Sequence, residues 1–239
     1  MKKQFLARFK CKDLGEVKRF LGVWVEISEN RTSVRIHQEQ FCNKIVEKFR
    51  NFWDIFKKTQ EFPLPFDIQE QLVKDEPNPI PGDDNYEWWS EFPYFEMIGS
   101  ALYLAIQTRP NITFAVCLLA RYSREKSFTA CVALAHMYSF LSGTASDGIT
   151  YAVHKCMSEQ FDDWLDFYGM SDADWAGCLK TRRSTAGYFV SMLGGPIAWG
   201  SKVMATSSMF HVIGIYGCIL LGADHCVSSK HVGLQQSKL

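Results

Sequence analysis

None of the eight cysteines, Cys11, Cys42, Cys117, Cys131, Cys156, Cys178, Cys218 and Cys226, forms a Cys-x-x-Cys pair. The paired-thiol spacing of zinc and redox sites is therefore absent, and reduced, mostly buried thiols are expected. Long apolar runs are missing as well. The longest, Val212 to Ala223, is too short to cross a bilayer. Met1-Lys2-Lys3 is not followed by an apolar stretch, so nothing there reads as a secretory leader. The expectation is an intracellular chain of cytoplasm or nucleus, not secreted and without a membrane partner. An excess of charge is also lacking, with 26 Lys and Arg against 26 Asp and Glu.

The balance conceals segregation. Residues 1–60 carry 14 basic against 7 acidic side chains, while residues 61–100 carry 1 against 10. Local charge sets the field near a surface, so the first block suits phosphate. Neutralisation by the acidic block of the same molecule is the competing reading. At 239 residues and 47% hydrophobic, the chain has enough material for a real core in one or two domains.

Residues 2–10 suit a short basic helix, and Phe20 to Ile27 is β-branched and aromatic enough for one strand. Ser33 to His37 returns as its hairpin partner. Phe41, Ile45 and Phe49 recur every four residues, which predicts an amphipathic helix over 38–49. Six of eight prolines fall in 61–93, which reads as an acidic linker or a surface-hugging loop and the best domain boundary. Helices are expected over 94–107, 112–122, with Asn111 as cap, and 130–141. Strands follow at 149–153, 165–170, 188–193 and 197–199, with a turn at Gly194-Gly195-Pro196. Ser207 or Ser208 is placed to cap a last helix over 209–221, weakened by Gly214, Gly217 and Gly222.

Three ordered stretches resemble copia-type retrotransposon Pol polyproteins. The family's "KDLGE(L/V)K(Y/F)FLG" stands as Lys12-Asp13-Leu14-Gly15-Glu16-Val17-Lys18-Arg19-Phe20-Leu21-Gly22. Its "YREAIGSLMYLA…TRPDI.FAV" is similar to Tyr94 through Ala105, then Thr108-Arg109-Pro110-Asn111-Ile112 and Phe114-Ala115-Val116. Its "YSDADWAGD…RRSTSGY" and "LGG.PISW.SK" resemble Ser171-Asp172-Ala173-Asp174-Trp175-Ala176-Gly177-Cys178, Arg182 through Tyr188, and Gly194 through Lys202. The resemblance implies a parent that joins an RNA-directed DNA polymerase to an RNA–DNA hybrid ribonuclease and uses Mg²⁺. It implies an α/β fold: a fragment of reverse transcriptase thumb and connection, then an incomplete RNase H-like mixed sheet with helices. The segments implied are a polymerase tail (1–60), a proline-rich acidic linker (61–93), a helical connection (94–147) and a truncated RNase H-like domain (148–239).

Catalysis by this chain is not expected. Polymerisation needs clustered carboxylates on palm strands, which the family supplies in a Tyr-Val-Asp-Asp hairpin upstream of the stretch this chain resembles. Asp83-Asp84 and Asp162-Asp163 have no hydrophobic strand leading into them. For hybrid cleavage, the resemblance makes Asp172 the first metal-binding aspartate, here vestigial, with Asp174 beside it on the same strand face. The family's next ligands come from "ALSSTEAEY", where this chain has Phe210 and Val212 at the glutamate positions. No acid occurs from Met204 through Ala223, and His211 is a poor ligand for a hard cation. Asp224 stands too close to the chain's end for the later elements, although Ser229 through Val232 resembles a "TKHI" stretch of the family. No cofactor is expected for the chain itself.

Arg182 and Arg183 are candidate contacts for a nucleic-acid backbone, or else a solvated turn. Trp175 and Trp199 read as packing residues rather than stacking platforms. His225, Cys226 and His231 lack the partners of a tetrahedral site. Gly194-Gly195 leads into a strand rather than a phosphate-binding helix, and Ser208 with His211 has no hydrolase elbow. Two alternatives to an inactive fragment stand beside it: a non-enzymatic nucleic-acid-binding protein and a weak Mg²⁺-dependent ribonuclease. A sheet without its later strands also exposes an edge that invites self-association.

Overall fold

A computed structural model describes residues 8–9, 15–56, 58–74, 77–152, 167–174 and 181–204. Its described part is mixed α/β, with a helical layer and two small antiparallel sheets.

The first sheet runs β1 (Arg19–Phe20), β2 (Val23–Ile27), β3 (Ser33–His37) and β4 (Gly148–Ala152), in that spatial order. The single strand expected over 20–27 is instead a tight hairpin. Leu21 and Gly22 both take positive φ, 45° and 79°, as a two-residue turn with left-handed central residues requires. Tyr103 donates its hydroxyl to the Leu21 carbonyl at 2.6 Å, fastening the turn to a helix far along the chain. β4 pairs with β3 from Ser33↔Ala152 to His37↔Gly148.

Helix α1 (Glu39–Lys48) buries Cys42, Ile45 and Val46, and α2 (Arg50–Trp53) continues it. The segment read as linker carries two short helices, α3 (Ile68–Val73) and α4 (Tyr86–Glu91). Ile68, Leu72 and Phe92 enter the same core as α1. Pro81 sits in a turn closed by the Asp83 amide, which donates to the Ile80 carbonyl at 3.0 Å. The Lys126 ammonium holds the end of α4 by donating to the carbonyls of Trp89 (2.8 Å), Ser90 (3.0 Å) and Phe92 (3.1 Å). A cation there satisfies carbonyls that the helix end leaves open.

Helix α5 (Tyr94–Gln107) leads through a 3₁₀ turn at Pro110–Ile112 into α6 (Thr113–Leu119) and another 3₁₀ turn at Ala120–Tyr122. α7 (Phe128–Gly143) lies at the centre of the layer, buried nearly all round. It starts two residues earlier than its apolar pattern suggests, because the Ser127 hydroxyl accepts the Ala130 amide at 3.2 Å. Asn111 does not cap α6; its Oδ1 accepts from Arg109 Nε at 3.1 Å.

The second sheet is β5 (Tyr168–Ala173), β6 (Thr185–Met192) and β7 (Gly195–Val203). The β6–β7 turn is Leu193-Gly194, both at positive φ, one residue earlier than expected, so Gly195 and Pro196 belong to β7. A Cβ on Gly195 would stand 2.8 Å from the Thr150 carbonyl, and this close approach seats β7 against β4. The Tyr151 hydroxyl donates to the Pro196 carbonyl at 2.7 Å. Trp199 donates from its indole to the Ala105 carbonyl at 2.7 Å, fixing the sheet to the end of α5. The described strands contain no parallel pair, where a mixed sheet was expected. Among the described residues, no helix is long and apolar enough to cross a membrane.

Candidate functional site

The second sheet and the start of α6 enclose an open cleft of about 830 Å³. Pro110, Thr113 and Phe114 form its helical wall, and Met170, Asp172, Phe189 and Trp199 are on the sheet wall. Register explains the sheet wall. Asp172 pairs with Gly187, which pairs with Ser201, so these three positions share a face with Met170, Phe189 and Trp199. Gly187 offers no side chain beside Asp172.

Asp172 is exposed, and its Oδ1 accepts the amide of Ala173 at 2.8 Å. Asp174 also lines the cleft, one step past the end of β5. Its Oδ1 accepts the Thr185 amide, while its own amide donates to the Thr185 carbonyl at 3.1 Å. This carboxylate closes the β5–β6 ladder. Both sequence-predicted acids therefore reach one cleft, each already accepting a backbone amide.

Two-ion chemistry requires several oxygen donors converging on hard cations. Among the described residues, no group of three or more His, Cys, Asp and Glu side chains is placed to hold a metal. Asp172 and Asp174 alone do not fit a two-Mg²⁺ centre. Phe210, His211, Val212, Asp224, His225, Cys226, His231, Trp175 and the helix expected over 209–221 lie outside the described residues.

Arg182 and Arg183 are exposed immediately before β6, with Arg182 at φ 54°. Neither forms an ion pair among the described residues. Arg121 reaches the same corner, its Nη2 3.4 Å from the Thr185 hydroxyl. Linear reading missed Arg121, Phe114 and Pro110, because they come from the helical layer rather than the sheet.

A second cation was also unforeseen. Arg109 is 2% exposed, and donates to the Thr144 carbonyl and hydroxyl, each at 2.7 Å. Burial pushes its guanidinium below its ordinary pKa, against the opposing pull of Asp147, 3.7 Å away. The described thiols Cys42, Cys117 and Cys131 are free. Burial pushes Cys42 up to about 11 and Cys131 up to about 12, so both stay protonated and unreactive at neutral pH.

No protein-family model and no solved structure matches the chain. It is 26% identical over 196 residues to the Retrovirus-related Pol polyprotein from transposon TNT 1-94 of Nicotiana tabacum, covering 82% of this chain and 14% of that polyprotein. It is 35% identical over 109 residues to the Pol polyprotein from transposon RE2 of Arabidopsis thaliana, covering 46% of this chain and 7% of that one. It is 32% identical over 117 residues to Secreted RxLR effector protein 161 of Plasmopara viticola, covering 49% and 77% respectively. The chain thus spans a small part of the polyproteins it matches, and it is a distant homologue of retrotransposon Pol polyproteins.

Proposed function

We propose that this chain is part of the polymerase–ribonuclease H stretch of a copia-type Pol polyprotein and does not itself hydrolyse RNA. In this reading residues 1–60 are polymerase tail, 61–93 a connecting segment, 94–147 the helical connection and 148–239 the ribonuclease-derived part. β4 comes from that last part by sequence yet completes the first sheet with β3, so the segments share one architecture. The observation that carries the reading is the state of the two cleft acids. Asp174 accepts the Thr185 amide and Asp172 the Ala173 amide, with no third acid joining them among the described residues. The sequence adds Phe210 and Val212 where the resembled family has glutamates.

The test is cleavage of a labelled RNA–DNA hybrid with Mg²⁺. No cutting is expected. Mg²⁺-dependent cutting that disappears in Asp172→Asn would overturn the proposal and leave the residual-ribonuclease reading in its place.

A second reading, binding of nucleic acid without hydrolysis, is favoured by Arg182 and Arg183 standing exposed near the cleft beside Arg121. Guanidinium groups match phosphate geometry, and such contacts weaken as salt rises. Each of Arg182→Ala and Arg183→Ala would then lower the log–log salt slope of hybrid binding by about 1. Absence of binding at low salt would end this reading.

A further inference from the structure

A second recess opens between the segment leading into α3 and the start of α6, with a volume of about 480 Å³. Small-ligand sites run from roughly 300 to 1,000 Å³, so this one is large enough. Three phenyl rings line it, and each keeps much of its surface in water. Phe62 is 51% exposed, Phe66 89% and Phe114 43%. The centroids of the Phe62 and Phe66 rings are 5.1 Å apart. The backbone that presents these two rings is tied down. His136 donates from Nε2 to the Phe62 carbonyl at 3.1 Å, and the Ile68 amide donates to the Pro65 carbonyl at 3.4 Å. The charge around the rings has one sign. Asp67 and Glu70 line the recess, and no Lys or Arg is among its described lining residues. The Gln71 side-chain amide donates to Asp67 Oδ2 at 2.8 Å. Neither carboxylate forms an ion pair among the described residues.

We propose that this recess binds a methylated ammonium group, carried by a small quaternary amine or by a methylated lysine side chain. The face of an aromatic ring is the negative part of its quadrupole, so it attracts a cation. Asp67 and Glu70 strengthen that attraction and repel anions, which sets this recess apart from the arginine corner beside β6. Charge alone would accept any cation, and the rings narrow the choice. An unmodified ammonium is a compact point charge that holds its water strongly. Methyl groups give the cation an apolar surface, and packing that surface on Phe62, Phe66 and Phe114 removes exposed ring area from water. Because hydrogen bonds already hold the segment, little ordering is required when the ligand arrives. Phe114 also lines the larger cleft, but Asp172 and Asp174 are not lining residues of this recess. The inference therefore stands apart from the ancestry and hydrolysis of the chain.

Titration of the isotope-labelled full chain, followed by amide chemical shifts, tests it. The probes are choline, its uncharged carbon isostere dimethylbutanol, a trimethyl-lysine peptide and the same peptide unmethylated. Choline and the trimethylated peptide shift amides within 62–70 and 111–115, while the isostere and the unmethylated peptide bind several-fold more weakly. A trimethylated peptide that binds more tightly than choline assigns a protein side chain as the source; equal or weaker binding assigns the free amine. Phe66→Leu keeps an apolar side chain but removes a ring, and weakens choline binding roughly threefold, the loss of one exposed cation–π contact. Glu70→Gln weakens it too and flattens its salt dependence. Both side chains are exposed, so both variants keep the circular dichroism of wild type. The proposal is overturned if neither methylated probe shifts these amides, or if dimethylbutanol or the unmethylated peptide binds as tightly as its methylated counterpart. Undiminished choline binding in folded Phe66→Leu overturns it as well.

Discussion

Asn111→Asp should stabilise the fold. Arg109 is buried with a full positive charge, and its Nε donates to a neutral amide oxygen at Asn111. Burial already pushes its pKa down, so the charge is incompletely compensated. A carboxylate in place of the amide keeps the shape and adds a charge about 4 Å away, worth about 4 kcal/mol at an effective dielectric of 20. Asn111 is exposed, so solvent screening and partial desolvation reduce the net gain to about 1 kcal/mol. For a chain of this size, that is a Tm rise of about 2–4 °C. The introduced carboxyl titrates below its unfolded value of about 3.9. Its stabilisation is complete above that value and is lost as pH falls through the lower folded pKa. Thermal melts of both proteins at neutral pH and below about pH 3 make the measurement. An unchanged or lower Tm at neutral pH, or a gain that survives in acid, would refute the electrostatic account of Arg109.

Gly22→Ala combines a left-handed backbone with a Cβ 2.7 Å from the Tyr103 hydroxyl, whereas Gly15→Ala at similar φ meets nothing within 4 Å. Gly22→Ala should therefore destabilise by about 1–3 kcal/mol, more than Gly15→Ala, and Tyr103→Phe should recover part of the difference in a double-mutant cycle. Gly148→Ala sets a Cβ into the Ile36 carbonyl oxygen and should break the β3–β4 pairing, read as lost amide protection across 33–37. Burial holds the His136 imidazole below its ordinary pKa, against the raising effect of its hydrogen bond to the Phe62 carbonyl. The unfolded chain then binds the proton more readily, so stability should decline as pH falls from about 6.5, and His136→Gln should flatten that slope in denaturant titrations.

Local patterning made much of this protein legible in one dimension. The four-residue recurrence of Phe41, Ile45 and Phe49 marks α1, and the apolar series in 94–107 marks α5, because a helix must turn one stripe to the core. The resemblance at Asp172 and Asp174 located the cleft's acids by motif alone, and the sequence also carries Phe210 and Val212 at the resembled glutamate positions. Segment 61–93 holds more packed structure than its prolines suggest, because proline reports only where regular structure stops. It does not report whether Ile68, Leu72 and Phe92 find a core.

What only the tertiary structure decided are pairings between distant residues, for which no local rule exists. β3 with β4, Tyr103 with the Leu21 turn and Trp199 with Ala105 are chosen by which apolar surfaces exclude water together. The roles of the two acids belong to the same class. Sequence supplies their carboxylates, but only the sheet's register turns the Thr185 amide onto Asp174 and the Ala173 amide away from β6, where Asp172 accepts it.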